Sequence, residues 1–442
     1  MEERKWTLAR FFESRLHMIL LTAAGVITTV FSLEHYAIPL LVLLLILTAV
    51  LDRNFTDMLY PLLLLNAIAL RTAGETTMLL KHVWLAVPAV CAVILHFIIY
   101  YRKMTVGKSF YALCAVSVAL LLGGVGIIPL SDYFNPGGSL YYILFLGLGM
   151  MLFYLWMRNY MFSTASYDLK ERLLEILYFL GIFCAFSMLE KGARMLIAFG
   201  EFSNFIWSND ICEMMLFALP VPFYFARRHF AHFFVPFVFY LSMIPTRSIS
   251  ALAVGLLILF AGIIYSWVYV PQKRALYATL VALGALGGIF LLHRFDYLSV
   301  DAILALLNSE ENGRFALIKD AWQNFLRSPF VGVGIGYGSA SSAFMGTRWT
   351  HNWLMQILGS MGIVGILAYG YQAFVRARLV FVKTNAFRMM VGLSYLSIFL
   401  ISMLQPGEFC PMPYELLAVC LFAVLEITEN EQEEHISLDK PF

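Results

Sequence analysis

Residues Glu310–Gly370 read EENGRFALIKDAWQNFLRSPFVGVGIGYGSASSAFMGTRWTHNWLMQILGSMGIVGILAYG and differ from the rest of the chain. This stretch combines charged residues, aromatic residues, alternating glycines and a histidine, whereas the surrounding sequence consists of long apolar runs. A basic amphipathic segment opens it, and a new apolar run begins after its threonine–histidine–asparagine triplet. The contrast predicts a polar loop between membrane-spanning segments, and this loop is the best candidate for the functional site.

The composition excludes a soluble globular protein. Of 442 residues, 61% are hydrophobic and only 13% are charged, which is typical of a membrane protein. A bilayer core about 30 Å thick needs roughly 20 apolar residues for each helical span. The candidate spans are residues 16–32, 37–51, 57–70, 82–101, 109–128, 139–157, 172–189, 211–226, 230–244, 247–268, 275–292, 351–373, 389–404 and 411–427. Because the third and ninth are short, we predict an all-α polytopic membrane protein with about 12–14 transmembrane helices.

The distribution of charge predicts the orientation of the chain. With the N-terminus inside, most of the 30 basic residues, Arg376 among them, fall in the inner segments, as the positive-inside rule requires. Both termini are therefore predicted to be cytoplasmic, and the acidic tail from Glu426 onward is predicted to be solvated and disordered. The remaining basic residues lie outside: Arg71, Lys81, Lys191, Arg194, Arg247, Arg294, Arg314, Lys319, Arg327 and Arg348. Half of them fall in the outer loop 293–350. A cluster of outer cations suggests a bound anion, although long loops can also cross the membrane regardless of charge.

The segment IPTRSIS, residues 244–250, is a first candidate for anion binding. Thr246 is a plausible N-cap for the tenth span, which would place Arg247 in the first helical turn. A cation there opposes the positive end of the helix dipole. A bound anion between them would remove the conflict, because helix N-termini bind anions. The alternative is an arginine that reaches toward lipid headgroups.

The segment 313–327 predicts an amphipathic helix that lies in the membrane interface. Its apolar face consists of Phe315, Ile318, Trp322, Phe325 and Leu326. Such a helix places its apolar face in the membrane. Arg314, in the first turn, is again a cation where the dipole disfavours one.

The glycines of GVGIGYG, residues 332–338, permit a close backbone approach to a ligand or to neighbouring helices. A nucleotide site is not expected, because no parallel βαβ unit surrounds them. Further on, Thr350 can cap the twelfth span and leave His351 in its first turn. The positive helix end would favour the neutral imidazole, which can accept a proton.

Several residues of this loop could contact a sugar. Tyr337, Trp349 and Trp353 offer stacking faces, and Arg348 and Asn352 offer polar contacts. The tryptophans would equally suit an interfacial aromatic belt, which needs no ligand. The six cysteines show no spacing of a metal site, and a disulfide between Cys212 and Cys410 is not favoured.

The pattern G-R-x7-W-x6-P-x2-G-x-G-x-G, from Gly313 to Gly336, followed by His351-Asn352, resembles the O-antigen ligase and polymerase family of bacterial membrane proteins. Thr246-Arg247-Ser248 is similar to the second arginine motif of that family. The resemblance covers roughly residues 240–375. It does not separate ligases, repeat-unit polymerases and protein oligosaccharyltransferases from one another.

The resemblance implies a fold of the membrane glycosyltransferase (GT-C-like) type in the bacterial plasma membrane. It also implies an activity that needs no metal and no cofactor: inverting transfer of a glycan from an undecaprenyl-diphosphate carrier to an acceptor hydroxyl. On that pattern Arg247 and Arg314 would hold the diphosphate. His351 would orient or deprotonate the attacking hydroxyl. Expected partners are the lipid-linked glycan, an acceptor glycan or lipid, the bilayer and polysaccharide-assembly proteins, but no nucleic acid.

The predicted organisation follows from these features. Residues 1–239 form a transmembrane scaffold, residues 240–375 the catalytic region, residues 376–427 the C-terminal transmembrane helices and residues 428–442 a cytoplasmic tail. A flippase or other transporter is the main rival, and a non-enzymatic sensor or scaffold is a third possibility. A transporter would need polar or charged residues deep within its spans. The sequence places few there, which favours the enzyme.

Overall fold

The computed structural model describes residues 8–71, 82–124, 142–202, 208–270, 314–335, 350–382, 384–405 and 407–438, together with residues 273–274, 276–277, 280 and 284. Throughout these residues the regular secondary structure is helical. The predicted all-α class is therefore confirmed.

The described residues of the first half of the chain form eight α-helices. They are α1 (Leu8–Phe12), α2 (Arg15–Phe31), α3 (Glu34–Leu51), α4 (Phe55–Arg71), α5 (Ala86–Ile99), α6 (Lys108–Gly124), α7 (Tyr142–Tyr160, π-helical as far as Gly149) and α8 (Leu169–Phe199). A 3-10 turn, Val83–Leu85, precedes α5.

The second half contains the elements that surround the candidate site. They are α9 (Ser208–Ala218), α10 (Val221–Phe225), α11 (Val235–Ser242), α12 (Ile249–Tyr269), α13 (Arg314–Arg327), α14 (Trp353–Phe381), α15 (Ala386–Ser402) and α16 (Leu416–Leu438). Short 3-10 segments lie at Phe230–Phe234, Ile244–Thr246 and Gly407–Phe409, and a π-helical segment lies at Pro411–Glu415.

Helical segments lie within each predicted span except 275–292, most of which lies outside the described residues. The predicted span 211–226 is divided into α9 and α10, and 230–244 consists of 3-10 segments and α11. By length and composition alone, α3, α7, α8, α12 and α14 (the last counted across the break described below) could each cross a membrane. Shorter apolar helices include α2, α5, α6 and α15. The prediction of a polytopic membrane protein is confirmed. In lipid, helices of this kind satisfy all their backbone hydrogen bonds internally.

Helix α8 lies at the centre of the bundle, and α3 lies at its edge. Along α8, Leu173, Leu177, Cys184 and Met188 are almost completely buried at helical spacing. On α3, by contrast, Leu40 is 64% exposed, and several of the leucines that follow it are about half exposed. Exposed apolar side chains of this kind suit contact with lipid tails, so α3 has the surface of a lipid-facing helix.

Helix α14 is broken at Gly362, whose φ of 60° and ψ of −151° are not helical. The rings of Trp353 and Tyr369 have centroids 5.6 Å apart. A straight α-helix would separate residues with this spacing by roughly 24 Å. The segment before Gly362 therefore folds back against the segment after it. The prediction of one continuous span over 351–373 is wrong.

The residues that follow α13 close this break with backbone hydrogen bonds. The four bonds are Ile363 N to Pro329 O (2.9 Å), Val364 N to Phe330 O (3.0 Å), Val333 N to Gly359 O (3.0 Å) and Gly334 N to Ser360 O (3.1 Å). A Cβ atom on Gly332 would lie 2.2 Å from the carbonyl carbon of Ser360, and only glycine permits that approach. Of the two roles predicted for these glycines, the structure shows close packing against a neighbouring helix. The backbone groups freed by the break are satisfied within the protein, as a membrane interior requires.

The C-terminal tail differs from its prediction. Helix α16 continues to Leu438, so the backbone from Glu426 to Leu438 is helical rather than disordered. Glu426 is only 4% exposed, and its carboxylate accepts hydrogen bonds from Ser109 and Tyr154. Tertiary packing against α6 and α7 explains why this acidic residue is ordered.

Candidate functional site

Arg247 lies between a 3-10 turn and the first residue of α12. The turn Ile244–Thr246 ends at Arg247, which has a left-handed backbone with φ of 55°. Ser248 occupies the N-cap position of α12, and its backbone N–H donates to Thr246 Oγ1 at 3.3 Å. The expectation that Thr246 is the N-cap and Arg247 lies in the first turn is therefore wrong. The arginine precedes the helix because the chain turns sharply there.

The Arg247 side chain is exposed, although the residues on either side of it are buried. Arg247 is exposed, whereas Thr246 and Ser248 are buried, and Ser248 Oγ donates to Asn209 Oδ1 at 2.7 Å. Within the described part of the chain, no carboxylate pairs with its guanidinium. An exposed cation next to the positive end of α12 is well placed to bind an anion.

His351 also lies just before a helix, not inside it. Its backbone is left-handed with φ of 51°. Asn352 is the N-cap of α14, and its side chain accepts from Met355 N at 2.9 Å. The predicted cap, Thr350, instead donates its hydroxyl to Asn352 O at 2.8 Å. His351 is thus held above the end of the helix, and the prediction that it lies in the first turn is wrong.

A buried glutamine joins the histidine to the start of α12. His351 Nδ1 lies 2.9 Å from Gln405 Oε1, and Gln405 Nε2 donates to Ser250 Oγ at 3.4 Å. An amide oxygen only accepts, so Nδ1 carries the proton and Nε2 has the free lone pair. Ser250 is three residues beyond Arg247. The glutamine therefore links His351 to the first turn of α12, the helix that Arg247 precedes.

The backbone at both residues is unusual. Among the described residues, the non-glycine positions with positive φ are Ser32, Arg247 and His351. Ser32 is the C-cap of α2, where a left-handed residue commonly ends a helix. The other two positions have no such helix-ending role at an α-helix. Strained backbone conformations of this kind concentrate at functional sites, because the surrounding structure must enforce them.

Helix α13 places Arg314 at its first residue and packs against the first half of α14. The contact consists of Ala321 on α13, Val333 in the loop and Met355 on α14. On the opposite face, Trp322 is 48% and Leu326 is 59% exposed. The helix spans Arg314–Arg327, as predicted, and its outward apolar face suits the membrane interface.

Other predicted site residues fall into two groups. The side chain of Arg314 and the residues Tyr337, Arg348 and Trp349 lie outside the described part of the chain. Trp353 is 6% exposed and packs edge-on against Tyr369 and Phe399, so its ring lies in the core rather than on a sugar-stacking surface. Asn352 uses its amide to cap α14 and to donate to Met403 O at 3.0 Å.

Two outer cations that suggested a bound anion have acidic partners instead. Arg71 lies 3.4 Å from Glu34 and 3.1 Å from Glu190. Arg194 also pairs with Glu190. These arginines join α2, α3, α4 and α8, so they stabilise the bundle and supply no free charge.

Cys212 and Cys410 are both free thiols.

The interior contains charges that the sequence did not predict. Arg376, expected in a cytoplasmic segment, is 3% exposed within α14. It lies 3.3 Å from Glu408 and 2.5 Å from Glu415. Buried charges therefore lie at and beyond the ends of the predicted spans, and the sequence analysis did not predict them. Gln405 was missed as well. The one available hint was its position after the predicted outer end of the thirteenth span.

One comparison with known proteins covers the region that contains these residues. Residues 233–370 match the O-antigen ligase family. The match begins before Arg247, contains Arg314 and His351, and ends in α14 beyond its break. No curated protein and no solved structure matches the chain. Over these residues the chain is thus similar to the O-antigen ligase family, and the predicted resemblance is confirmed. The family acts in glycan transfer during polysaccharide assembly.

Proposed function

We propose that this protein transfers a glycan from an undecaprenyl-diphosphate carrier to an acceptor hydroxyl at the outer face of the bacterial plasma membrane. The supporting observation is the His351–Gln405–Ser250 link, which joins the histidine to the first turn of α12, the helix that the exposed Arg247 precedes. In this arrangement both termini are cytoplasmic. The acceptor is either a growing polysaccharide, as in a polymerase, or a lipid-anchored oligosaccharide, as in a ligase.

The arginines act on the donor. Arg247 and Arg314 each precede or begin a helix, so backbone N–H groups and a guanidinium can face the same anion. A guanidinium binds phosphate oxygens through two parallel hydrogen bonds. The same contacts stabilise the charge that develops on the diphosphate as the bond from the sugar carbon to the phosphate oxygen breaks.

His351 acts on the acceptor. Since Gln405 holds the proton on Nδ1, Nε2 can remove the proton of the acceptor hydroxyl as its oxygen attacks the sugar carbon. The acceptor oxygen forms the new glycosidic bond, the diphosphate leaves with the bonding electrons, and the proton resides on Nε2. Attack opposite the leaving group inverts the configuration at that carbon.

The test is glycan transfer by purified protein supplied with an undecaprenyl-diphosphate glycan and an acceptor. We expect His351→Ala to lower the rate by about 10²–10⁴-fold. Arg247→Ala and Arg314→Ala should each lower it by roughly 10²–10³-fold. Arg228→Ala is the control, because this exposed arginine already has an acidic partner, Glu171, and is not part of the proposed site. Full activity in all three site variants would refute the mechanism.

A transporter is the second candidate, and one observation favours it. The buried charges around Arg376 are of the kind that line transport pathways. Reconstituted protein would then move lipid-linked glycan across a vesicle membrane. Flipping without any covalent transfer would decide for the transporter, and transfer without flipping would decide for the enzyme.

A further inference from the structure

A group of ionisable side chains lies inside the bundle, and the transfer reaction does not use it. Arg376 is held between two glutamates, with Glu408 Oε2 at 3.3 Å and Glu415 Oε1 at 2.5 Å. The rings of Tyr395 and Phe422 lie 5.2 and 5.3 Å from its guanidinium carbon. All three charged residues are at most 3% exposed. We call Arg376, Glu408 and Glu415, with Gln372 and Tyr369, the Arg376 cluster.

The charges of this cluster do not balance. One guanidinium faces two carboxyl groups, which leaves one uncompensated negative charge if both are ionised. The hydroxyl groups of Tyr369 on α14 and Tyr395 on α15 lie near the charges of the cluster. Cys410 lies between Glu408 and Glu415 in the chain, and the carboxyl groups of Asp210 and Glu213 on α9 interact electrostatically with it. Among the described residues, none of these neighbours adds a second cation. A buried charge without a partner costs several kcal/mol in a medium that excludes water.

The hydrogen bonds of the cluster are also incomplete. Gln372 Nε2 donates to Glu415 Oε1 at 2.8 Å. Four buried oxygen atoms have no hydrogen-bond partner among the described residues: Gln372 Oε1, Glu408 Oε1, Glu415 Oε2 and the hydroxyl of Tyr369. Three of them can only accept while both glutamates are ionised, so they cannot satisfy one another. A protonated carboxyl has an O–H group that donates a hydrogen bond. If one of the two glutamates were protonated, its O–H could donate to one of the remaining buried oxygen atoms.

We propose that Glu408 and Glu415 bind one exchangeable proton between them, so that the Arg376 cluster is an intramembrane proton-binding site. The proton neutralises the excess charge and supplies the missing donor. A polyvalent metal does not fit as well. Within the described residues no three histidine, cysteine, aspartate or glutamate side chains are arranged to hold one.

The Arg376 cluster is connected to the candidate site through the segment Gln405–Glu408 and through a ring contact. Glu408 is three residues after Gln405, and its backbone N–H donates to Ser402 Oγ at 3.1 Å. Tyr369 also contacts Trp353, which is two residues beyond His351. Binding or loss of the proton changes the charge of the segment that carries Gln405, and Gln405 orients the histidine. The proposal itself does not depend on glycan transfer, and its test needs no substrate.

Infrared difference spectroscopy of the purified full-length protein tests the proposal. The C=O stretching band of a buried carboxylic acid should be present at acidic pH and should disappear as the pH is raised. Labelling with 13C-glutamate should shift this band, which separates it from Asp210. Size-exclusion chromatography in the same detergent establishes that each variant is folded.

The variants distinguish a proton that depends on both Glu408 and Glu415 from a proton bound by a single buried glutamate. Glu408→Gln and Glu415→Gln should each abolish the band, because either change leaves one carboxylate facing one guanidinium. Glu213→Gln is the matched control. Glu213 is equally buried but belongs to α9, so the band should remain. Persistence of the band in either cluster variant would overturn the proposal, and so would a wild-type protein that shows no titrating glutamic acid. If one variant does not fold, the other variant and the isotope shift still decide.

Discussion

Replacing Gly362 with alanine is the sharpest test of the broken helix. Gly362 has φ of 60° and ψ of −151°, a combination that only glycine adopts readily. A Cβ atom there would lie 2.4 Å from Pro329 O and 2.7 Å from the carbonyl carbon of Phe330. The added Cβ atom would therefore clash with backbone atoms of the segment that hydrogen-bonds across the break. Rotation of a side chain cannot relieve this clash.

The magnitude follows from these contacts. An alanine in this backbone region costs about 1–3 kcal/mol. Relief of the clash requires Pro329 and Phe330 to move away, and their carbonyls accept from Ile363 and Val364 at 2.9 and 3.0 Å. Each buried bond that is lost costs about 1–3 kcal/mol. Together these effects amount to a loss of roughly 3–9 kcal/mol in the free energy of unfolding.

The assay is thermal unfolding of purified variants in one detergent, followed by the loss of the monodisperse chromatographic peak. The control is Gly370→Ala, in the same helix, where a Cβ atom would have nothing within 4 Å. There we expect a gain of up to about 1 kcal/mol, because alanine favours a helix more than glycine does. The two substitutions thus have opposite expected signs. If Gly362→Ala is as stable as Gly370→Ala, the fold-back of α14 is refuted.

Two further pairs of substitutions test the supporting residues. Gln405→Leu should slow glycan transfer by roughly 5- to 150-fold, the equivalent of about 1–3 kcal/mol for a lost buried hydrogen bond. Gln405→Glu, which can still accept from His351 Nδ1, should restore the rate; equal rates for both variants would contradict this role. Arg376→Met should lower thermal stability by about 3–5 kcal/mol, because it leaves buried carboxylates unpaired. Arg228→Met, which breaks an exposed pair, should cost at most about 1 kcal/mol, and equal losses in the two would contradict the reasoning.

The sequence by itself determined the fold class and the main candidates for the site. Long apolar runs can only be helices in a membrane, since lipid offers no partners for the backbone. For the same reason helical segments lie within most of the predicted spans. The amphipathic pattern of 313–327 likewise determined α13, with Arg314 at its first residue. These features depend on the spacing of residues along one helix, which is visible without tertiary structure.

Only the tertiary structure decided the break in α14 and the capping of the site helices. The glycines at 359, 362 and 365 resemble an ordinary packing motif in sequence. The break exists because residues 329–334, far away along the chain, supply the hydrogen bonds that it needs. Similarly, Thr350 and Asn352 are both acceptable caps by residue type. Which of them caps α14 depends on contacts with Gln356 and Met403.

The polar interior was beyond sequence reasoning for a related physical reason. Arg376, Glu408 and Glu415 each lie near the end of an apolar run, where a charged residue normally faces water. Their burial depends on the folding back of the chain after α15, which brings a carboxyl-rich segment against α14. Gln405 bonds His351 through the same return of the chain. Sequence thus gave the residues that contact substrate in the proposed reaction. The proposed positioning residue Gln405 and the Arg376 cluster became apparent only in the tertiary structure, because segments distant in sequence form them.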